Sequence, residues 1–242
     1  MTMPTFYDPS TVGTLYTPDS AAAVIEGSQA DLTLASTDNT RIALLLIDAQ
    51  VDFVHEDGAL SVPGAVNDTR RTIEWVYRNL GQITTIIASL DSHLPTQIFS
   101  PSWWADRDGK HPQPFTVIAA EDVKTGRWQP LYDLEWSQQY VHLLEEDAKK
   151  QLMIWPYHTL IGTPGHAITP ALYEAIAFHS AARQTQPRFI NKGTVPKTEH
   201  YSLFEPEVKT DELDNQGRNI ALLNDLASYD RIYVAGQAKS HC

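Results

Sequence analysis

The sequence predicts an α/β fold in which a mainly parallel sheet is covered by helices on both faces. Two observations carry this prediction. Short apolar runs, of the kind that form strands buried on both faces, recur along the chain. Segments with helical spacing of their apolar residues separate these runs, and this alternation is typical of parallel sheets with crossover helices.

The pattern defines the predicted elements one by one. Strands are predicted at residues 41–47, 83–89, 188–190 and 231–235. Helices are predicted at residues 67–80, 169–182 and 215–228. Asn67 is a candidate N-cap for the first of these helices, and Gly81 is expected to end it.

The domain organisation follows from where this pattern begins and where it is interrupted. Residues 1–40 are rich in Thr, Ser, Asp and Ala, and they are predicted to form an arm over the domain or a partly ordered tail. One domain is predicted from residue 41 to residue 242, a length that a single α/β domain reaches. A polar and aromatic stretch at about 100–151 is predicted to be an insertion with short elements of its own.

Composition and charge exclude several kinds of partner. The formal net charge of −12 repels phosphate backbones, so nucleic acid is not expected to bind. No apolar run approaches the roughly 20 residues that span a bilayer, so no membrane partner is expected. A single cysteine and the lack of a signal-like N-terminus predict a cytoplasmic protein. The sequence leaves open whether the chain forms a homo-oligomer.

Four reactive side chains closely follow the predicted strands, namely Asp48, Asp91, Lys192 and Cys242. Ligand sites in open parallel sheets form beyond the carboxyl ends of the strands, so one shared rim is expected. A thiol needs a proton acceptor and a nearby cation to react at neutral pH, and Asp48 and Lys192 would supply both. Taken singly, each has a plainer explanation: Cys242 as a small buried hydrophobe, Asp48 as a helix cap, Lys192 as a solvated lysine.

A second group of residues has the chemistry of metal ligands. Asp91 and His93 are two residues apart, and His158 supplies another imidazole. Carboxylate and imidazole suit one borderline divalent ion, with zinc favoured and iron or manganese as alternatives. The spacing alone also allows a surface pair and an unrelated core histidine.

Four motifs, found in order along residues 42–242, resemble those of nicotinamidases within the isochorismatase-like hydrolases. They are Asp48-Ala-Gln-Val-Asp-Phe53 with Val62-Pro-Gly-Ala65, Trp155-Pro-Tyr-His158 with Gly162-Thr-Pro-Gly165, Lys192-Gly-Thr194 with Tyr201-Ser202 and Phe204, and Gly236-Gln-Ala238 with Cys242. Agreement of four separate motifs in the family's order is far more specific than any one motif.

The resemblance implies a fold and a catalytic set. The fold is the three-layer α/β/α isochorismatase-like hydrolase fold. The catalytic residues are Cys242 as nucleophile with Asp48 and Lys192, and the backbone N–H groups of Ala238 and Cys242 form the oxyanion hole. A cis peptide bond before Ala238 is also implied.

The resemblance further implies a metal and a substrate pocket. Asp91, His93 and His158 would hold the metal, and the rings of Phe53 and Trp155 would enclose a pyridine ring. The implied activity is hydrolysis of nicotinamide, a small non-peptide carboxamide, to nicotinic acid and ammonia through a cysteine thioester. This activity would place the protein in pyridine nucleotide salvage, within NAD metabolism.

Several features keep other functions open. Ser92, Thr159 and Gln97 depart from residues frequent in nicotinamidases, and the chain between His93 and Trp155 is long. One alternative is a related cysteine amidohydrolase that acts on another small amide, a carbamoyl or a ureido compound. Another is a catalytically silent protein that binds small molecules in the same pocket. Because the sequence stops at the proposed nucleophile, we expect the protein to continue beyond residue 242.

Overall fold

The computed structural model describes residues 3–210 and 213–238. These residues separate into two compact units, which interleave along the sequence. The first unit comprises the described residues of Met1–Asp91, Gly162–Asn191 and Ala221–Cys242, and the second those of Ser92–Ile161 and Lys192–Ile220.

The described residues form short strands and helices in alternation. The helices are α1 (Ser20–Ser28), α2 (Val51–Val54), α3 (Ala65–Asn79), α4 (Ala120–Lys124), α5 (Leu134–Glu146), α6 (Pro170–Arg183) and α7 (Ile220–Leu226). The strands are β1 (Ile42–Ile47), β2 (Thr85–Asp91), β3 (Trp104–Ala105), β4 (Val117–Ile118), β5 (Gln129–Pro130), β6 (Leu152–Met153), β7 (Arg188–Lys192) and β8 (Arg231–Gly236). No helix within residues 3–210 and 213–238 has the length and apolar character of a membrane span.

A four-stranded sheet forms the centre of the first unit, with the strand order β7-β2-β1-β8. Strand β1 pairs in parallel with both β2 and β8, so that Leu45 lies opposite Ile87 on one side and Val234 on the other. The predicted α/β class with a mainly parallel sheet is therefore confirmed. Each of the four predicted strands overlaps an observed one.

The helices α3 and α6 both pack apolar side chains into the core of the first unit, among them Ile73 and Val76 from α3 and Leu172 and Ile176 from α6. Helix α3 was predicted to begin near Asn67, but it begins at Ala65 with Gly64 as the N-cap residue. The predicted Asn67 cap is wrong because the chain turns into the helix through a positive φ of 84° at Gly64, a conformation that glycine adopts without strain. The Asn67 side chain instead accepts a hydrogen bond from Arg70.

Two further predicted elements differ from the structure. The predicted helix at 215–228 is shorter, because Asn215 and Gln216 adopt left-handed backbone angles and α7 begins only at Ile220. Residues 3–40 contain helix α1, which no periodic pattern had indicated because its alanine-rich sequence has no apolar stripe. Helix α1 packs on α6 at Gly27, where a Cβ atom would lie 2.6 Å from the carbonyl oxygen of Phe178.

The second unit consists of short elements around its own apolar core. Strand β3 pairs with β5, and β4 pairs with β6, both antiparallel. The stretch 100–151, predicted as an insertion, contributes α4, α5 and most of these strands. Its buried side chains share a core with residues outside the stretch, including Ile154 and Val208. The predicted domain limits, with an arm at 1–40 and a domain from 41 to 242, stay a prediction.

Candidate metal and catalytic site

Asp48 is the first predicted site residue in the chain, and it lies directly after strand β1. Its side chain is fully buried, and its backbone adopts a left-handed φ of 46°. Such a conformation is costly for a residue other than glycine, and it is concentrated at functional sites. Ser89 on the neighbouring strand β2 donates a hydrogen bond of 2.5 Å to Oδ1 of Asp48 and accepts one of 3.0 Å from its N–H. The carboxylate is thus held in one orientation.

Gln50 fixes the backbone of Asp91, at the end of β2. Its side-chain oxygen accepts a hydrogen bond from the Asp91 N–H, and its Nε2 donates to the Asp91 carbonyl, each over 2.8 Å. The same nitrogen donates to the carbonyl of His166 at 2.9 Å. Neither Gln50 nor Ser89 was predicted from the sequence as a positioning residue. Gln50 lies inside the motif of residues 48–53, and that position in the motif could have indicated its role.

The three predicted metal ligands are brought together. Asp91, His93 and His158 are all buried, and each offers one ligand atom within 4.8 Å of the others. The imidazole rings of His93 and His158 meet edge to face, with 4.8 Å between their centroids. A group of this kind can hold a divalent ion.

The tautomers of the two histidines fit metal binding. Nδ1 of His158 lies 2.7 Å from the carbonyl oxygen of Pro156, and Nδ1 of His93 lies 3.3 Å from that of Gly193. A carbonyl oxygen only accepts, so in each ring Nδ1 must carry the proton and donate it. In the neutral ring the lone pair is then on Nε2, and a backbone carbonyl that orients the ring in this way is the usual outer support of a metal-binding histidine. The donor set therefore fits a divalent metal.

Gln97, which departs from the family pattern, has a different role. It is fully buried, and its Nε2 donates to the carbonyl oxygens of Gly193 at 2.7 Å and Val195 at 3.2 Å. Its Oε1 accepts a hydrogen bond from the N–H of Leu94. Gln97 thus ties the chain after His93 to the segment that follows Lys192.

Lys192 ends strand β7 and is buried, unlike the solvated lysine that its type alone would suggest. Its Nζ donates a hydrogen bond of 3.1 Å to the carbonyl of His200. Its own carbonyl accepts one of 2.8 Å from the N–H of Ser92. Gly193 follows with a φ of 79°, which turns the chain away from the strand.

Trp155, the predicted substrate-binding residue of the second unit, lies among other rings. Phe115, Tyr201 and His158 approach it edge-on, with centroid distances of 6.1, 6.4 and 6.5 Å. Phe115 belongs to the stretch 100–151, so this stretch supplies one of the rings that contact Trp155. The other predicted ring contact, Phe53, is buried in helix α2 of the first unit.

Parts of the predicted catalytic set stay predictions. Cys242 lies outside the described residues. Asp48 belongs to the first unit and Lys192 to the second, so their joint action with Cys242, like the pairing of Phe53 with Trp155, stays a prediction. Ala238, predicted for the oxyanion hole, follows a cis peptide bond after Gln237, as the resemblance implied.

Comparison with known proteins identifies the fold. No sequence model of a protein family matches the chain, and neither does the sequence of any curated protein. Among solved structures, the yeast nicotinamidase bound to the inhibitor nicotinaldehyde aligns with a TM-score of 0.55 and 16% identity, over 83% of this chain and 76% of that one. A nicotinamidase/pyrazinamidase of Acinetobacter baumanii aligns with a TM-score of 0.51 and 19% identity, over 85% and 75%.

The chain has the nicotinamidase fold. The fold expected from the four sequence motifs is therefore confirmed. At these identities the likeness establishes the architecture, and the chemistry depends on the residues themselves.

Proposed function

We propose that the protein is a metal-dependent amidase that hydrolyses nicotinamide to nicotinic acid and ammonia. The observation that carries the proposal is the buried group of Asp91, His93 and His158 in a chain with the nicotinamidase fold. A buried carboxylate and two imidazoles within reach of one ion are costly to maintain without a ligand, which favours a functional site. The four family motifs in the sequence support the same reading.

In the proposed reaction, Cys242 is the nucleophile and Asp48 is the base. Asp48 accepts the thiol proton, and the thiolate attacks the carboxamide carbon of nicotinamide. The ammonium group of Lys192 stabilises the thiolate, which raises its population at neutral pH. The fixed orientation of Asp48 against Ser89 supports this role, because a base must be held within hydrogen-bond reach of the proton that it takes.

Attack on the carboxamide places a negative charge on its oxygen. The backbone N–H groups of Ala238 and Cys242 receive this oxyanion, as donors aimed at the position where charge develops. The tetrahedral intermediate collapses, the C–N bond breaks, and Asp48 returns its proton to the departing ammonia. Water then hydrolyses the thioester on Cys242, which releases nicotinic acid and restores the thiol.

The pyridine ring would be enclosed by aromatic side chains. Phe53 and Trp155 supply the two faces, since aromatic rings bind flat heterocycles by offset stacking. Asp91, His93 and His158 would hold the metal through one carboxylate oxygen and two Nε2 atoms. Once bound, such an ion supplies a Lewis acid with further coordination positions for a neutral nitrogen donor of the substrate.

A comparison of substrates tests this proposal. We expect the metal-loaded protein to prefer nicotinamide to benzamide in kcat/KM, because benzamide has the same shape without a ring nitrogen. Chelation of the metal should remove most of that preference. Equal kcat/KM for the two amides in the metal-loaded protein, or faster ammonia release from a ureido compound, would favour the alternative of a related amidase with another substrate.

A further inference from the structure

Glu199 is a buried carboxyl group that has no role in the proposed reaction. It lies in the second unit, seven residues after Lys192, and only 2% of its surface is exposed. Its carboxylate accepts hydrogen bonds from Tyr201 at 2.8 Å and Trp155 at 3.3 Å, both at Oε1, and from Tyr140 at 3.1 Å at Oε2. All three donors are neutral groups.

No cation within residues 3–210 and 213–238 forms an ion pair with Glu199. Lys150, which lies over the Tyr201 ring at 4.5 Å from its centroid, pairs with Glu207 at 2.6 Å. Burial therefore raises the pKa of Glu199 to about 7 against the lowering effect of its hydrogen bonds. A carboxyl group kept at this cost indicates a use that an apolar residue of the same size could not serve.

One of the three donors, Trp155, lies at the proposed substrate pocket, and a second, Tyr201, contacts Trp155. The indole N–H of Trp155 points both to Oε1 of Glu199 and to the hydroxyl of Tyr201, which is 3.2 Å away. Tyr201 donates in turn to the same oxygen of Glu199. An indole has one N–H, in the plane of the ring, and the ring is also attached to the chain through its Cβ atom. Fixing the direction of the N–H bond therefore restricts the rotation of the ring about the Cβ–Cγ bond.

The backbone next to Glu199 forms a hydrogen bond with a second predicted site residue, Lys192. The carbonyl of His200, the next residue, accepts the hydrogen bond from Lys192. The chain at Glu199 is itself anchored, because its N–H donates to Tyr140 and its carbonyl accepts from the N–H of Glu207. One short segment therefore carries both the group that orients Trp155 and the acceptor for Lys192.

We propose that Glu199 is a positioning residue that sets the plane of the Trp155 indole, and thereby the fit of the substrate ring, through the hydrogen bonds it accepts from Trp155 and Tyr201. This inference rests on the proposed function, in which Trp155 forms one wall of the ring pocket. Glu199 touches no reacting atom. Its effect is therefore expected in substrate binding, with the chemical step left largely intact.

Two substitutions separate this role from a purely structural one. Glu199→Leu removes both acceptor oxygens. Tyr140→Phe removes the hydrogen bond at Oε2 and the acceptor for the Glu199 N–H, and it leaves the hydrogen bonds from Trp155 and Tyr201 in place. We expect Glu199→Leu to raise KM for nicotinamide by about tenfold with kcat changed less than about threefold, as for lost ground-state binding. Tyr140→Phe should leave KM within about twofold of the wild-type value. Glu199→Gln retains an acceptor oxygen and should restore most of the binding.

The proposal is overturned if Glu199→Leu leaves KM unchanged, or if Tyr140→Phe raises KM as much. If Glu199→Leu fails to fold, Tyr201→Phe takes its place. We expect this variant to raise KM by about threefold, and an unchanged KM would overturn the proposal. The near-UV circular dichroism of Trp155, isolated by subtracting the spectrum of Trp155→Phe, gives a readout that needs no turnover. A change in Glu199→Leu and none in Tyr140→Phe would support the positioning role even if nicotinamide proved not to be a substrate, and equal spectra would refute it.

Discussion

Two buried carboxylates, Asp48 in the first unit and Glu199 in the second, are held in different ways. Asp48 lies at the end of an apolar strand, and Ser89 on the neighbouring strand holds its carboxylate by a hydrogen bond. Glu199 lies in an irregular segment, and its three donors come from residues up to 59 positions away in the chain. The position of Asp48 follows from the sheet, whereas that of Glu199 follows from packing among short elements.

Because the carboxylates of Asp48 and Glu199 are held differently, we expect them to have different roles. A carboxylate at the end of a strand is placed by a hydrogen-bonded sheet, which suits a base that must meet a thiol in one geometry. A carboxylate among two tyrosines and a tryptophan orients rings instead. Substitutions at Asp48 should therefore affect the chemical step, and substitutions at Glu199 should affect binding and stability.

The largest effect is expected for removal of the base. Asp48→Asn keeps the size of the side chain but cannot accept the thiol proton, so kcat should fall by about 10³-fold. Alkylation by iodoacetamide isolates the cause, because Cys242 is the only cysteine in the chain. We expect the pH profile of the alkylation rate to move to higher pH in Asp48→Asn and in Lys192→Met.

A matched control for this prediction is Asp57→Asn, which changes an exposed carboxylate nine residues further along. It should retain wild-type turnover and the wild-type alkylation profile. If Asp48→Asn and Lys192→Met also retained that profile, neither residue would be activating the thiol, and the proposed division between the two carboxylates would fail.

A smaller loss of activity is expected when one of the proposed metal ligands is removed. His93→Ala or His158→Ala removes one of three protein ligands, so the bound metal should fall from about one ion per chain to nearly none, with a loss of about 10²-fold in kcat/KM. Elemental analysis after gel filtration measures the first quantity directly. His142→Ala, at an exposed position on α5, is the control and should keep its metal. Full metal content in both site variants would contradict the assignment of the ligands.

The smallest effect is expected in the pH dependence of the free energy of unfolding, through the titration of Glu199. Its pKa is raised by burial from 4.5 to about 7, with Glu207 adding to the rise, while Tyr140 and Tyr201 have raised pKa values and stay neutral in this range. A carboxyl whose pKa is raised in the folded state binds its proton more tightly there. Its contribution to stability is fully present below about pH 4.5 and is lost as the pH rises through about 7.

Glu199→Gln lacks this titration. Relative to the variant, the wild-type protein should therefore lose about 3 kcal/mol in free energy of unfolding between pH 4.5 and pH 8, as measured by urea denaturation. Glu121→Gln, which changes an exposed carboxylate on α4, should show no such difference. A difference between wild type and Glu199→Gln that stays constant across this range would contradict the account of Glu199 as a buried group with a raised pKa.

The contrast between the two carboxylates also explains what the sequence could and could not predict. Asp48 and Asp91 were found because apolar runs locate strands and strand ends locate sites, a rule that needs only local information. Their supports, Ser89 and Gln50, were missed because each depends on which strand or loop lies next to another. His93 and His158 were recognised from residue type and family motif together, since spacing alone left a core histidine as an alternative.

The second unit was predicted less completely for a physical reason. Strands of two residues, such as β3 and β6, leave no period to detect, and the core of this unit forms only when distant segments meet. Glu199 has no signal in the sequence, because nothing in its neighbours shows that Tyr140 and Trp155 will donate to it. Helix α1 was missed for a related cause, since its alanines pack closely without an apolar stripe.

The decisive measurement is ammonia release from nicotinamide by the purified, metal-loaded protein and by its Cys242→Ala variant. It tests whether the protein hydrolyses amides through a cysteine thioester. We expect steady release by the wild-type chain and a loss of more than about 10³-fold in the variant, with metal content and far-UV circular dichroism unchanged. Release by Cys242→Ala close to that of the wild type would contradict the claim that this protein hydrolyses amides through a cysteine thioester.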